Sequence, residues 1–157
     1  MTRARRFDGA GKAPRVRTTL VLGGSAGERE TAIAAALSAR IPTAVILEGW
    51  PGAGAALPAP AGELPWRIVR IAPGCMCCSG NLVLRVTLNR ILRDRPQQLY
   101  LGIATTTHLD QLRRWLTLPP YDTLLELCGV LNAVAPEPGP TAAPDPATRP
   151  LAPGLAT

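Results

Sequence analysis

The chain has 157 residues, 46% of them hydrophobic, and a formal net charge of +6. This length suits one domain with a real core, and the composition excludes a chain that is disordered throughout. No apolar run approaches the ~20 residues of a membrane span, and no apolar segment follows the N-terminal arginines as it would in a secretory signal. We therefore predict a cytoplasmic protein with no membrane partner, in which clustered cysteines stay reduced.

Arginine carries nearly all of the positive charge, since Lys12 is the only lysine. Residues 1–17 are polar and basic, and we predict that they form a flexible arm. The arm has no interleaved aromatic residues and matches no nucleic-acid-binding module, so the charge does not predict a nucleic-acid partner.

Apolar runs and periodic segments alternate along the chain. Short segments that are wholly or mostly apolar predict strands at residues 18–22, 43–47, 66–71, 98–103 and 129–134. The predicted helices are 28–40, 82–93 and a segment that a Thr107–Asp110 capping box begins and that ends near Leu116. Residues 49–65 predict a long loop, residues 123–126 a helical turn and residues 135–157 a Pro-rich disordered tail.

Buried strands separated by helices predict an α/β fold, a three-layer sandwich with a mostly parallel sheet. In such sheets ligands bind at the carboxyl ends of the strands. The loop at 23–27 and the cysteine stretch at 74–81 both follow predicted strands, so both are expected at this edge.

The cysteine stretch reads Gly-Cys-Met-Cys-Cys-Ser-Gly-Asn and contains Cys75, Cys77 and Cys78. Three thiolates within four residues favour a soft metal ion, with Zn²⁺ first and Cu(I) or Co²⁺ as alternatives. Candidates for a fourth ligand are Glu48, water, His108 and Cys128, although His108 is more typical of an exposed first-turn residue and Cys128 of a small core residue. A redox-active pair and simple burial in the core stay open as alternatives.

The loop Gly-Gly-Ser-Ala-Gly-Glu-Arg-Glu-Thr, residues 23–31, is similar to a degenerate phosphate-binding loop. With Gly23 at the first position of G-x-x-x-x-G-K-[ST], Glu28 replaces the second glycine, Arg29 the lysine and Glu30 the hydroxyl residue. The candidate nucleotide-binding residues are Gly23, Gly27, Arg29 and Thr31. Two added carboxylates oppose phosphate, and Glu30 does not reliably replace the hydroxyl's contact with Mg²⁺. Binding of GTP with Mg²⁺ is therefore doubtful, and an ordinary glycine-rich turn is an equal alternative.

The order of these motifs resembles the N-terminal GTPase domain of the CobW family, P-loop GTPases linked to zinc or cobalt handling. The resemblance covers residues 18–134, with Gly74–Cys78 as its specific part. It implies a P-loop NTPase-like domain in which Cys75, Cys77 and Cys78 match the metal-binding cysteines. Glu48 matches a glutamate near the metal, and Arg29 stands at the P-loop lysine.

The chain also departs from the family pattern. The acid expected after the fourth strand is missing from residues 101–105, and the guanine-reading Asn-Lys-x-Asp motif and the C-terminal domain are absent. The resemblance therefore implies a truncated zinc-binding protein with a role in metal homeostasis, whose partners are a metal ion and a client metalloprotein or a full-length relative. The alternatives are an active GTP-binding metallochaperone with an unorthodox P-loop, and a non-enzymatic regulatory or scaffold protein.

Overall fold

A computed structural model describes residues 14–51, 56–57, 66–74 and 82–133 of the chain. The elements follow the predicted alternation of strands and helices. In chain order they are β1 (Val16–Leu22), α1 (Ala26–Ala36), β2 (Thr43–Glu48), β3 (Trp66–Ile71), α2 (Leu82–Arg93), β4 (Gln98–Gly102), α3 (Leu109–Leu116), a 3₁₀ turn (Tyr121–Thr123) and β5 (Leu125–Asn132).

The five strands form one sheet in the order β3-β2-β4-β1-β5, and every pairing is parallel. All six residues of β2 are buried, as the continuous apolar run predicts for an inner strand of a covered sheet. The prediction of an α/β fold with a parallel sheet is therefore confirmed.

The strand side chains alternate between two cores, one on each face of the sheet. On the α1 face, Ile33 packs with Val45 and Leu47. On the opposite face, Leu84 and other residues of α2 and α3 pack against the sheet. These two cores give the three layers that the sequence predicts.

Several predicted boundaries were wrong. β1 begins at Val16, so the last two residues of the predicted flexible arm belong to the sheet. Helix α1 covers 26–36 instead of 28–40, because Ser25 caps it and Leu37 turns into extended backbone. The predicted turn at 123–126 is a 3₁₀ turn two residues earlier, and β5 begins at Leu125 instead of 129.

The prediction of a capping box at Thr107–Asp110 was also wrong. His108 is the N-cap of α3, and its side chain makes no capping hydrogen bond. Residues 1–13, most of the predicted 49–65 loop and the predicted tail at 135–157 lie outside the described residues. In the described part of the chain, no helix is long and apolar enough to cross a membrane.

Candidate functional site

The loop that follows β1 is closed by its own side chains. The backbone N–H of Ser25 donates to Oε2 of Glu28 at 2.5 Å, and the N–H of Glu28 donates to Oγ of Ser25 at 3.3 Å. This reciprocal capping box places a carboxylate at the positive N-terminal end of α1. An N–H that a phosphate-binding loop would offer to an anion is therefore already used.

Arg29, the residue at the lysine position, is turned back onto the main chain. Its Nη1 donates to the carbonyl oxygens of Gly23 at 3.2 Å and Gly24 at 2.7 Å, and its Nη2 donates to the carbonyl oxygen of Glu48 at 3.3 Å. The residue is only 3% exposed. Burial lowers the pKa of Arg29, while the charges of Glu48 and Glu28 oppose this shift.

The other two candidate nucleotide-binding residues do not join Arg29. Gly27 lies inside α1, so the predicted 23–27 loop is shorter than expected. Thr31 is exposed, and its hydroxyl donates to the carbonyl oxygen of Gly27 at 3.0 Å. Of the four candidates, Arg29 therefore contacts Gly23, whereas Gly27 and Thr31 contact each other.

Glu48 ends β2 and is 1% exposed. Its Oε1 accepts from the N–H of Gly74 at 2.5 Å, and its Oε2 accepts from the N–H of Ala104 at 2.8 Å. Gly74 directly precedes Cys75 and has a positive φ of 81°, a conformation that favours glycine. The carboxylate therefore joins the segments that follow β3 and β4.

The predicted metal ligands Cys75, Cys77 and Cys78 lie outside the described residues. Within the described residues, no group of three or more His, Cys, Asp or Glu side chains could hold a metal ion. His108 is exposed at the start of α3. Cys128 is an exposed thiol on the edge strand β5, so the expectation that it is a small core residue was wrong.

The edge position explains the exposure of Cys128. The register of β5 against β1 shifts between Thr18 and Thr19, which pair with Leu127 and Gly129, so Cys128 is an extra residue at a bulge. The side chain donates to the carbonyl oxygen of Glu126 at 3.4 Å. Since β3 and β5 are opposite edges of the sheet, Cys128 is a poor candidate to complete a site that follows β3.

Two contacts of this region were not predicted from the sequence. The capping box has a recognisable signal, Ser-x-x-Glu at residues 25–28, which was overlooked in favour of the one at 107–110. The ion pair between Glu30 and Arg70 has no local signal, because forty positions separate its two residues in the chain.

Comparisons with known proteins bear on the family. No protein-family model matches the chain, and no solved structure matches it. The curated protein "Zinc chaperone YeiR" of Escherichia coli (strain K12) is 32% identical over 126 residues, which cover 76% of this chain and 38% of that protein. The chain thus spans well under half the length of this relative. The similarity to this CobW family member and the parallel α/β sheet both support a CobW-like family for the chain.

Proposed function

We propose that the chain is a CobW-like metal-binding protein that holds Zn²⁺ through Cys75, Cys77 and Cys78 and acts in metal homeostasis without hydrolysing GTP. The relative is named a zinc chaperone, which supports zinc as the metal and a client protein as a second partner. The donor set supports the same choice, because three thiolates suit Zn²⁺ and leave a position open for metal transfer.

The second half of the proposal, that the chain does not hydrolyse GTP, is supported by the contacts that close the loop after β1. Arg29 uses its guanidinium on main-chain oxygens, and Glu28 uses its carboxylate on the N-terminus of α1. Glu28 would have to release the N–H of Ser25, and Arg29 would have to release its carbonyl acceptors, before either donor could reach a phosphate. This cost supports a protein in which the nucleotide function of the family is lost.

Metal content tests the first half. Untagged protein purified under reducing conditions should carry one zinc ion per chain by mass spectrometry. Combined replacement of Cys75, Cys77 and Cys78 by serine should remove it, and the matched control Cys128→Ser should retain it. Wild-type apo-protein that takes up no zinc, or a triple variant that retains zinc, would contradict the proposal.

Nucleotide titration tests the second half. A fluorescent GTP analogue with millimolar Mg²⁺ should show no saturable binding to the zinc-loaded or the zinc-free protein. Saturable binding that unlabelled GTP displaces would favour an active GTP-binding metallochaperone instead.

A further inference from the structure

Hydrogen bonds connect the loop after β1 to the segment that enters the cysteine stretch. Arg29 bonds to the carbonyl oxygens of Gly23, Gly24 and Glu48, and the carboxylate of Glu48 bonds to the N–H of Gly74. Each step joins different elements, namely α1 to the end of β1, α1 to the end of β2, and β2 to the residue that precedes Cys75.

The strand order shows why such a connection is needed. β1 and β3 are separated in the sheet by β4 and β2. With strands ~4.8 Å apart, their ends lie about 14 Å from each other, which is beyond the reach of one direct hydrogen bond. Arg29 and Glu48 together cross this distance, and Ala104 after β4 is tied to the same carboxylate.

The charges of the two residues are balanced inside the protein. Arg29 is 3% exposed and Glu48 is 1% exposed. Burial alone would disfavour each charge, but each is solvated by main-chain dipoles of opposite sign. Such contacts pre-organise the surrounding segments and do not require a bound ligand.

Both carboxylate oxygens of Glu48 already accept a backbone N–H. A metal ion bound there would have to use the remaining lone pair of an oxygen that already accepts an N–H, on a residue that is 1% exposed. The contacts therefore fit a residue that fixes the start of the cysteine stretch better than one that binds the metal itself.

We propose that Arg29 and Glu48 are positioning residues that together hold the start of the cysteine stretch ready for metal without a nucleotide, and that Glu48 is not a metal ligand. This inference rests on the proposed zinc binding by Cys75, Cys77 and Cys78. In it, the hydrogen bonds of Arg29 replace a connection that would otherwise depend on a bound nucleotide.

Zinc competition with a chromophoric chelator tests the link. Arg29→Met removes its donors, and Glu48→Gln replaces one of the two acceptor oxygens by an amide NH₂ that faces an N–H. Each variant should weaken zinc binding about tenfold or more. Arg113→Met, the same change at an exposed arginine on α3, should bind zinc as wild type does, and Mg²⁺-GTP should not change the wild-type affinity.

Co²⁺ substitution separates positioning from ligation. At saturating Co²⁺, the visible ligand-field bands of Glu48→Gln should keep their wild-type positions, because the ligands are the same. Shifted bands would identify Glu48 as a ligand and overturn the inference, as would wild-type zinc affinity in both variants.

Arg29→Lys provides a rescue experiment. It keeps the charge and a donor for the loop carbonyls, so its zinc affinity should fall between those of wild type and Arg29→Met. If Arg29→Met does not fold, Glu48→Gln and Arg29→Lys decide the question. If none of the three folds, as judged by circular dichroism, the residues support the whole domain and the positioning role is wrong.

The two proposals fail in different ways. A wild-type protein that binds no zinc contradicts the proposed function. A wild-type protein that binds zinc, alongside variants with unchanged affinity, contradicts only the link.

Discussion

Oε1 of Glu30 lies 2.5 Å from Nη1 of Arg70, and this ion pair joins α1 to β3. The side chain of Glu30 is fully buried, whereas that of Arg70 is 20% exposed. Glu30 stands where the family resemblance expects the hydroxyl that binds Mg²⁺. The position is used here to attach a helix to an edge strand of the sheet.

Arg70→Met should destabilise the protein by about 3 kcal/mol, because it leaves the buried carboxylate of Glu30 without its partner. The free energy of unfolding in urea measures this loss. The double variant Glu30→Leu/Arg70→Leu should recover much of it, since no buried charge remains unpaired.

The exposed ion pair between Arg67 and Asp94 is the matched control. Its atoms are 2.7 Å apart, but the side chains are 46% and 57% exposed. Arg67→Met should therefore change the free energy of unfolding by no more than about 1 kcal/mol. Equal losses of unfolding free energy in Arg67→Met and Arg70→Met would contradict the claim that burial of Glu30 makes its ion pair the more important one.

Gly24→Ala should destabilise the protein by roughly 1–3 kcal/mol. Gly24 has a φ of 59°, and a Cβ there would lie 2.1 Å from the carbonyl oxygen of Ala133. Gly27→Ala is the control, because its Cβ would meet only Oγ of Ser25 at 4.0 Å and helices favour alanine. Thermal unfolding should show a lower midpoint for the first variant and no loss for the second.

Glu28→Ala should cost about 1 kcal/mol through loss of the capping contact at Ser25. Glu28→Gln should retain most of the stability, because a glutamine oxygen can accept the same N–H. Neither variant should gain binding of the fluorescent GTP analogue, since the donors of Arg29 stay engaged with the loop carbonyl oxygens and are not available to a phosphate. Helix content and urea unfolding measure the first effect, and nucleotide titration measures the second.

We expect the two tyrosines of the chain to make the folded state less stable at alkaline pH. Burial raises the pKa of both Tyr100 and Tyr121 above the ordinary value, and nearby arginines oppose the shift. The folded state thus holds these protons more tightly than the unfolded state. The resulting stabilisation is complete below pH ~10 and is lost as the pH rises through the folded pKa values.

Phenolate absorbance in the near ultraviolet checks this prediction. The native titration should have its midpoint above the ordinary tyrosine value, and protein in denaturant should return to that value. Tyr121→Phe removes the hydroxyl that donates to Oδ1 of Asn89 at 3.0 Å and leaves Tyr100 to titrate alone. A native midpoint at or below the denatured one would contradict the assigned burial.

Hydrophobic patterning was sufficient to predict the parallel sheet. β2 begins with a continuous apolar run and β3 carries Ile68, Val69 and Ile71, and their predicted positions differ from the observed ones by at most one residue. The bounds of α2 agree at both ends, because an apolar stripe on an otherwise polar helix is a strong local signal. Boundaries set by backbone geometry, such as the ends of α1, were less predictable.

The candidate site was only partly predictable for a physical reason. Glycines and charges are visible in a sequence, so the altered chemistry of the loop at 23–31 could be read directly. The partners of Arg29 and Glu48 are main-chain groups, which every residue possesses and no sequence pattern marks. Their pairing depends on strand order, and so it required the fold.

These main-chain acceptors have a consequence for comparing sequences. A carbonyl oxygen stays in place when its own side chain is replaced, provided that the backbone path is kept. Relatives could therefore vary at Gly23 within the limits of its positive φ and still offer Arg29 the same acceptor. Such relatives would be identified by an arginine at the seventh position of the loop motif together with an acidic residue at the end of the second strand. These two positions would be more informative than the amino-acid types of the other loop residues.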